Sequence, residues 1–483
     1  MTLALDRRAD LWGDRPAVVD HAADATLSYA DLDQRARETA GRLADAGVGA
    51  GDAAVVLARN RPEWFDLFFG ARRLGATLAP VSHRLSAESV TKLYDRIDPD
   101  LVLAESQFGD LLAEAEDSGV ETETLDEFAA RDAANFEAAD DSGANPALYL
   151  HTGGTTGVPK VVVVEDEQVE WNCVTEVAAW GLGKETVAPV LLPLFHTGGW
   201  HLLTLPTLYV GGRVVLQREF DPAEALELIE DRGATQVFGV AAIFRAMAES
   251  ESFADADLSS VEWFMSGGGP TPEAVAEPYR ERGQRFVQGY GLTEGGPNNL
   301  YFEPGREDSK RDSVGRPFPD CEARVVDADG EAVPAGETGE LELRGPVTAD
   351  RYLETEDGTF AGRWVSTGDL ARRDEDGDYF VVGRTDNMFV SGGENVYPER
   401  IEDAFADHSA VEAVGVVGVS HEKWGTVPKA MVVGDADAGA LESFARDRLA
   451  DHEVPREFEF VAGLPTSGPG KLDRAELQAR YTG

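Results

Sequence analysis

Short, unbroken runs of aliphatic residues recur along the first half of the chain, and several are followed by stretches with helical spacing. AAVVLA at 53–58 precedes PEWFDLFFGARRLGA at 62–76, and a short strand follows at 79–81. VLLPL at 190–194, RVVLQ at 213–217 and TQVFGV at 235–240 repeat the theme, with a helix over 222–232 between the last two. Strands that are apolar at every position are covered on both faces. This pattern predicts a mostly parallel sheet flanked by helices. Residues 27–46 place Leu32, Ala36, Ala40 and Leu43 on one helical face, and Gly47 and Gly49 stop the helix.

The texture changes after about residue 313. ARVVDADGEAV, GELELRG and GDYFVVGR alternate apolar and polar residues between Gly turns, which predicts antiparallel strands. It changes again after Arg384. The pattern there predicts a helix over 398–408, strands over 411–419 and 429–435, and a helix over 437–451. A separate α+β unit of about 100 residues is expected, the size of a small domain. Residues 105–146 carry thirteen Asp or Glu and one basic residue, Arg131, and read as an exposed, solvated excursion of helix and loop.

The 483 residues include 89 Asp and Glu against 43 Lys and Arg, a formal charge of −46. With 42% hydrophobic residues the chain can still bury a substantial core. So negative a surface repels phosphate backbones and anionic lipid heads, which excludes nucleic acid and membrane surfaces as expected partners. No apolar run reaches membrane-spanning length, and MTLALDRRADLWGD has no signal-peptide core. Cys173 and Cys321 are the two cysteines, so there is no disulfide framework and no Cys/His metal cluster. These features predict a cytoplasmic protein. Self-repulsion at this charge is relieved in concentrated salt, where the Debye length falls to about 3 Å at 1 M, so a salt-rich host is expected. Lysine is scarce, at seven positions, so a Lys inside a Gly-rich motif stands out.

One such motif is His151-Thr152-Gly153-Gly154-Thr155-Thr156-Gly157-Val158-Pro159-Lys160, between the expected strands ALYL (147–150) and VVVVE (161–165). Glycine backbone N–H groups, threonine hydroxyls and one ammonium suit a phosphate cradle, though a Gly/Thr hairpin turn has the same composition. The spacing is not that of a Walker A loop, and a strand follows instead of a helix. Further motifs follow in order: Pro193-Leu194-Phe195-His196-Thr197-Gly198-Gly199-Trp200, Ser266-Gly267-Gly268-Gly269-Pro270, Tyr290-Gly291-Leu292-Thr293-Glu294, Thr367-Gly368-Asp369 and Gly383-Arg384-Thr385-Asp386. The series ends with Ser391-Gly392-Gly393-Glu394-Asn395-Val396-Tyr397-Pro398 and Pro465-Thr466-Ser467-Gly468-Pro469-Gly470-Lys471.

In this order the segments resemble the motifs of the AMP-forming adenylating enzymes: acyl-CoA synthetases, peptide-synthetase adenylation domains and firefly-type luciferases. Gly153 stands where the family usually has Ser, and Val161 where it usually has Gly. The resemblance implies an α/β fold. A large N-terminal domain, 1–384, would hold layered, mostly parallel sheets with helices and a small β-barrel-like part. A small, mobile α+β domain, 385–483, would turn about a hinge at Asp386.

The resemblance also implies roles. ATP would be held by Thr152, Gly153, Gly154, Thr155, Thr156, Gly157 and Lys160. Adenine would lie against Gly267, Gly268, Gly269, Tyr290 and Gly291. Asp369 and Arg384 would take the ribose or phosphate, Thr293 the α-phosphate, and Glu294 a Mg²⁺ ion. His196 would line the acyl site, with Phe238–Ala242 and Gly291–Asn299 around it. Lys471 would be the lysine of adenylate formation, and Ser391, Gly392 and Gly393 would border the pantetheine tunnel. Trp424 stands where some CoA ligases stack the CoA adenine; a half-buried structural Trp reads equally well.

The activity implied is ligation of a small-molecule carboxylic acid to CoA. The carboxylate attacks ATP to give an acyl-adenylate and pyrophosphate, and CoA then gives the thioester and AMP. A medium- or long-chain fatty acid is the leading substrate. The polar Pro297-Asn298-Asn299 run leaves an aryl acid such as 2-succinylbenzoate as an alternative. A carrier-protein acceptor and a catalytically silent adenylate-binding protein are the other readings. The family also leaves a homodimer open.

Overall fold

The structure, a computed structural model, describes residues 3–116, 120–139, 145–152, 159–302, 310, 312–354, 358–362, 364–406, 408–421, 423–467 and 471–481. The runs that are apolar at every position become central strands. Ala53–Leu57, Thr77–Pro80 and Leu101–Ala104 are parallel and buried throughout, and they form the middle of a six-stranded sheet. Pro146–His151 and Val161–Glu165 close one side of that sheet as an antiparallel pair.

The helix expected over 27–46 spans Tyr29–Asp45. Its start is set by Ser28, whose hydroxyl accepts from the Asp31 N–H while the Asp31 carboxylate accepts from the Ser28 N–H. Residues before that cap go instead to an edge strand, Ala25–Ser28. The helix crosses Glu63–Leu74 so closely that a Cβ on Gly70 would stand 3.0 Å from Thr39 and 3.1 Å from the Ala36 carbonyl.

The acidic stretch is not a solvated excursion throughout. Glu121–Thr124 is a parallel edge strand beside Leu101–Ala104, and Leu125 and Phe128 are buried. Arg131 forms ion pairs with Glu121, Glu123 and Asp45 around them. The strand expected at 190–194 lies earlier, at Val187–Val190. The buried Asn60 side chain donates to the Leu192 carbonyl at 2.9 Å and accepts from the Leu194 N–H at 2.9 Å, drawing 191–194 off the sheet.

Val187–Val190 and Arg213–Leu216 belong to a four-stranded sheet with Pro16–Asp20 and Ala25–Ser28. In a further sheet Gln236–Gly239, Trp263–Ser266 and Phe286–Tyr290 run parallel, extended antiparallel by Leu300–Tyr301 and Arg316–Pro317. As the alternating pattern predicts, Glu322–Val326, Thr338–Arg344, Trp364–Arg373 and Tyr379–Arg384 form an antiparallel sheet.

The last unit has its own sheet. Glu394–Val396, Phe389–Ser391, Gly425–Val433 and Ala413–His421 are antiparallel, and Glu457–Phe460 is added parallel. Helices Pro398–Ala406 and Ala438–Arg446 bury Ile401, Phe405 and Leu441 against Val416, Ala430 and Val432. No helix among the described residues is long and apolar enough to cross a membrane.

Candidate active site

The neck of the Gly/Thr loop is closed by the pairing of His151 with Val161 and by a Thr152 N–H donating to the Lys160 carbonyl at 2.8 Å. Gly153, Gly154, Thr155, Thr156 and Gly157 lie outside the described residues. Lys160 Nζ stands 4.8 Å from the ring centroid of Tyr352, within cation–π range. The Tyr352 hydroxyl donates to Oε1 of Glu294 at 2.8 Å. One tyrosine thus bridges the loop lysine and the Glu294 carboxylate. Tyr352 is missing from the sequence reading because nothing in the spacing of TADRYLE marks it. Its role comes from an isolated bridge to Val162 that brings it beside the loop.

Thr293 and Glu294 open a single helical turn after Phe286–Tyr290. The Glu294 carbonyl accepts from the Ala349 N–H at 2.9 Å. Gly291 is required by close approach: a Cβ there would overlap the Pro297 carbonyl oxygen at 1.2 Å. The 297–299 segment therefore folds back onto the 290–294 motif.

Asp369 pairs in register with Arg384 across two strands. Its carboxylate accepts from Arg384 Nη1 at 2.7 Å and from the Tyr290 hydroxyl at 2.5 Å. Desolvation and the neighbouring Asp369 charge hold the Tyr290 phenol well above its usual pKa, so it stays a donor. Thr367 fixes the turn, with its hydroxyl donating to the Leu341 carbonyl and accepting from the Asp369 N–H. Gly267 is buried at the end of Trp263–Ser266, whereas Gly268 and Gly269 are exposed, leaving bare backbone on the surface.

His196 leads into the short helix Thr197–His201. Trp200 anchors that helix among Trp64, Phe65 and Phe68, with ring centroids 5.1–6.1 Å apart. Burial and Arg84 lower the His196 pKa to about 4, and burial and His196 lower that of His151 to about 3, so both rings are neutral. His151 Nε2 accepts from the Ser82 N–H at 3.1 Å. Phe238 faces both Gly198 and Gly267, at 3.6 Å and 3.2 Å from where their Cβ atoms would be. The two glycine motifs and the Phe238 segment thus meet at one aromatic ring.

In the small unit, the Gly392 N–H donates to the Trp424 carbonyl at 3.0 Å, and Ser391 pairs with Gly425. A Cβ on Gly392 would stand 2.8 Å from the Trp424 ring. Gly393 borders a polar recess of about 340 Å³. Trp424 is 41% exposed, so its ring caps the loop and still faces solvent. Arg400, a further candidate contact for CoA phosphate, is already paired with the buried Glu453. Lys471 pairs with Ser467 in a two-stranded ribbon; Gly468–Gly470 lie outside the described residues. Arg474, on the following helix, binds Glu402 and Glu399 and ties the ribbon to helix Pro398–Ala406.

Comparison with known proteins identifies the family and the fold. Residues 5–353 match the model of the AMP-binding enzymes, and residues 400–471 match that of the AMP-binding enzyme C-terminal domain. A feruloyl-CoA synthase of Amycolatopsis sp is 35% identical, over 96% of this chain and 95% of its own. An indoleacetate–CoA ligase of Aromatoleum aromaticum is 32% identical, over 99% and 98%. The o-succinylbenzoate CoA synthetase of Bacillus subtilis, solved with its acyl-adenylate intermediate, superposes with a TM-score of 0.91 at 29% identity, over 99% of this chain and 98% of that one. With family models matching both parts of the chain and relatives aligned over nearly all of it, the chain belongs to the AMP-binding enzyme family.

Proposed function

We propose that the protein is an AMP-forming carboxylic acid–CoA ligase acting on aryl acids. The observation that carries the reading is the joining of Lys160, Tyr352 and Glu294 beside the Tyr290–Asp369–Arg384 cluster, with Phe238 between two glycines on the acyl side. The curated relatives reported above are named for flat aromatic acids, which favours the aryl alternative over the expected fatty acid.

A divalent ion that accompanies ATP needs one or two carboxylates plus phosphate oxygens. Glu294, oriented by Tyr352, has the chemistry to supply one. Among the described residues no group of three or more His, Cys, Asp or Glu forms a separate cage. When bound, Mg²⁺ would neutralise phosphate charge. The chain's own task is to bring two anions together. Lys160 and Lys471 supply positive charge, Asp369 and Arg384 hold the sugar end of the nucleotide, and neutral His196 borders the carboxylate without repelling it. CoA would then enter past Ser391–Gly393 under Trp424. The domain boundary at 384/385 and a hinge at Asp386 would let the small unit serve both half-reactions in turn.

The test is purified protein in molar KCl with ATP, Mg²⁺ and a panel of aryl and aliphatic acids, with and without CoA. The expected result is AMP and aryl-CoA formed together, with CoA required. Pyrophosphate without thioester would move the acceptor to a carrier protein. A preference for aliphatic acids would restore the fatty-acid reading, and silence with ATP bound would leave an adenylate-binding protein.

A further inference from the structure

Helix Pro398–Ala406 carries two carboxylates three residues apart, on one face. Glu402 is tied inside the small unit. Its Oε1 accepts from the Val416 N–H at 2.7 Å, and its two oxygens accept from Arg474 at 3.1 Å and 2.5 Å. Glu399, one turn earlier, has different neighbours. Its Oε1 accepts from the Asn387 amide at 2.5 Å and lies 3.2 Å from Arg474 Nη2. Its Oε2 lies against the backbone of Gly383, where an added Cβ would stand 3.0 Å from it. One side chain therefore touches the end of strand Tyr379–Arg384, the segment just beyond Asp386, and the arginine three residues after Lys471.

Stability alone does not call for this arrangement. Arg474 is already held twice by Glu402, and Glu399 Oε2 is buried without a hydrogen-bond partner among the described residues. A buried oxygen left unpaired is a cost to the folded state. What the arrangement supplies is a connection. The N–H groups of Asn387 and Met388 both donate to the Arg384 carbonyl, at 3.3 Å and 3.2 Å. Both bonds span Asp386, so a change in its backbone angles breaks them. Such a change reaches Glu399 through the Asn387 amide, and Arg474 through Glu399. From Arg474 to Lys471 the chain has little slack: the Asp473 N–H donates to the Pro465 carbonyl at 2.9 Å, and Leu472 pairs with Thr466.

We infer that Glu399 is a positioning residue for adenylate formation, transmitting the state of the hinge through Asn387 and Arg474 to Lys471. The inference rests on the ligase reading above, with Lys471 serving the first half-reaction and the small unit turning at Asp386. It deepens that reading by naming the side chain that links the two. The Arg474–Glu402 pair is the fixed anchor of the lysine segment. Glu399 and Asn387 are the part that answers to the hinge. The link bears on rate because a misplacement of about 1 Å in a reacting group can cost about 100-fold. CoA attack on a finished adenylate does not use Lys471, so that step is independent of the link.

The test measures the half-reactions separately in the full chain, with the preferred acid of the panel above. ATP–pyrophosphate exchange reports adenylate formation, and thioester formation is followed from CoA and the synthetic acyl-adenylate. Glu399→Ala and Asn387→Ala should each lower kcat of exchange about tenfold, with KM for ATP unchanged. Thioester formation from supplied adenylate should stay within about twofold of the wild type. The double variant should be no slower than Glu399→Ala, since Asn387 acts through Glu399. Equal losses in both half-reactions, or losses that multiply in the double variant, overturn the inference and make both residues structural. Thermal unfolding checks the fold. If Glu399→Ala does not fold, Asn387→Ala, which leaves the Arg474–Glu402 pair in place, decides by the same split. Lys471→Ala is the control. Exchange lost in Lys471→Ala but intact in Glu399→Ala sinks this inference alone. Exchange intact in Lys471→Ala, or no activity with any acid, sinks it together with the reading it rests on.

Discussion

The hydroxyl of Tyr352 lies 2.8 Å from Oε1 of Glu294, a residue 58 positions earlier in the chain, while its ring lies under the ammonium of Lys160. A neutral donor thus orients the carboxylate while its ring contacts the loop lysine. Hydrogen bonds to charged groups contribute about 1.5–3 kcal/mol. Tyr352→Phe keeps the ring contact with Phe360 and should lower ATP–pyrophosphate exchange about 10- to 100-fold, with the larger loss at limiting Mg²⁺. Exchange measured against Mg²⁺ concentration checks this. An unaltered Mg²⁺ dependence would mean that the bond serves folding alone.

Arg384 and Asp369 form an ion pair whose arginine side chain is 41% exposed. A pair so open to solvent contributes about 0–1 kcal/mol to stability. Arg384→Ala should therefore move Tm by a few degrees at most, yet raise KM for ATP about tenfold if the proposed contact to the nucleotide is lost with it. Thermal unfolding and initial rates measured side by side separate the two effects. A large drop in Tm with KM intact would make Arg384 a structural residue.

Trp424 sits over Gly392, is partly exposed, and has the Lys423 ammonium 4.4 Å from its ring centroid. Removing the ring should raise KM for CoA about tenfold and slow thioester formation more than ATP–pyrophosphate exchange. Trp424→Ala assayed in both half-reactions tests this. Equal losses in the two would show that the ring only packs the loop.

Four histidines, 83, 151, 196 and 201, are held below their usual pKa, chiefly by burial, at about 4, 3, 4 and 4. Between pH 6.5 and about 4 the unfolded chain binds these protons and the native one does not. Stability therefore falls as pH falls through that window and is flat with respect to these groups above it. Protonation of carboxylates at the same time relieves the −46 charge, so the effect is cleanest in molar KCl, where repulsion is screened. Burial raises the pKa of Asp66, Glu176 and Glu402, which act in the opposite sense, so at high salt the test is His151→Asn, whose Tm should fall less, or rise more, than that of the wild type from pH 6.5 to 4.5. At neutral pH the wild-type Tm should rise as KCl is added. A Tm insensitive to salt would remove the case for a salt-rich host.

The motifs from Thr152 to Lys471 were legible through their resemblance to those of the adenylating enzymes, because each keeps particular residue types in a short span: a run of glycines, a carboxylate beside a hydroxyl, a lysine in a Gly-rich segment. The parallel sheets were legible for a similar reason, since a strand covered on both faces has no polar positions to lose. Local errors came where distant groups intervene. The side chain of Asn60 ends the strand at Val190, and Arg131 gathers the acidic residues around an edge strand at 121–124.

By itself the sequence determined the layered α/β architecture, the change to antiparallel strands and the small terminal α+β unit, because these depend on periodicity and composition within a few turns of chain; its ordered motifs carried the resemblance to the adenylating enzymes. Tertiary structure alone decided that Tyr352 joins Lys160 to Glu294, that Tyr290 and Arg384 share Asp369, and that Glu399 faces both Gly383 and Arg474. Those relationships join residues tens to more than a hundred positions apart. A hydrogen bond depends on distances of about 3 Å in space, and no local pattern encodes them.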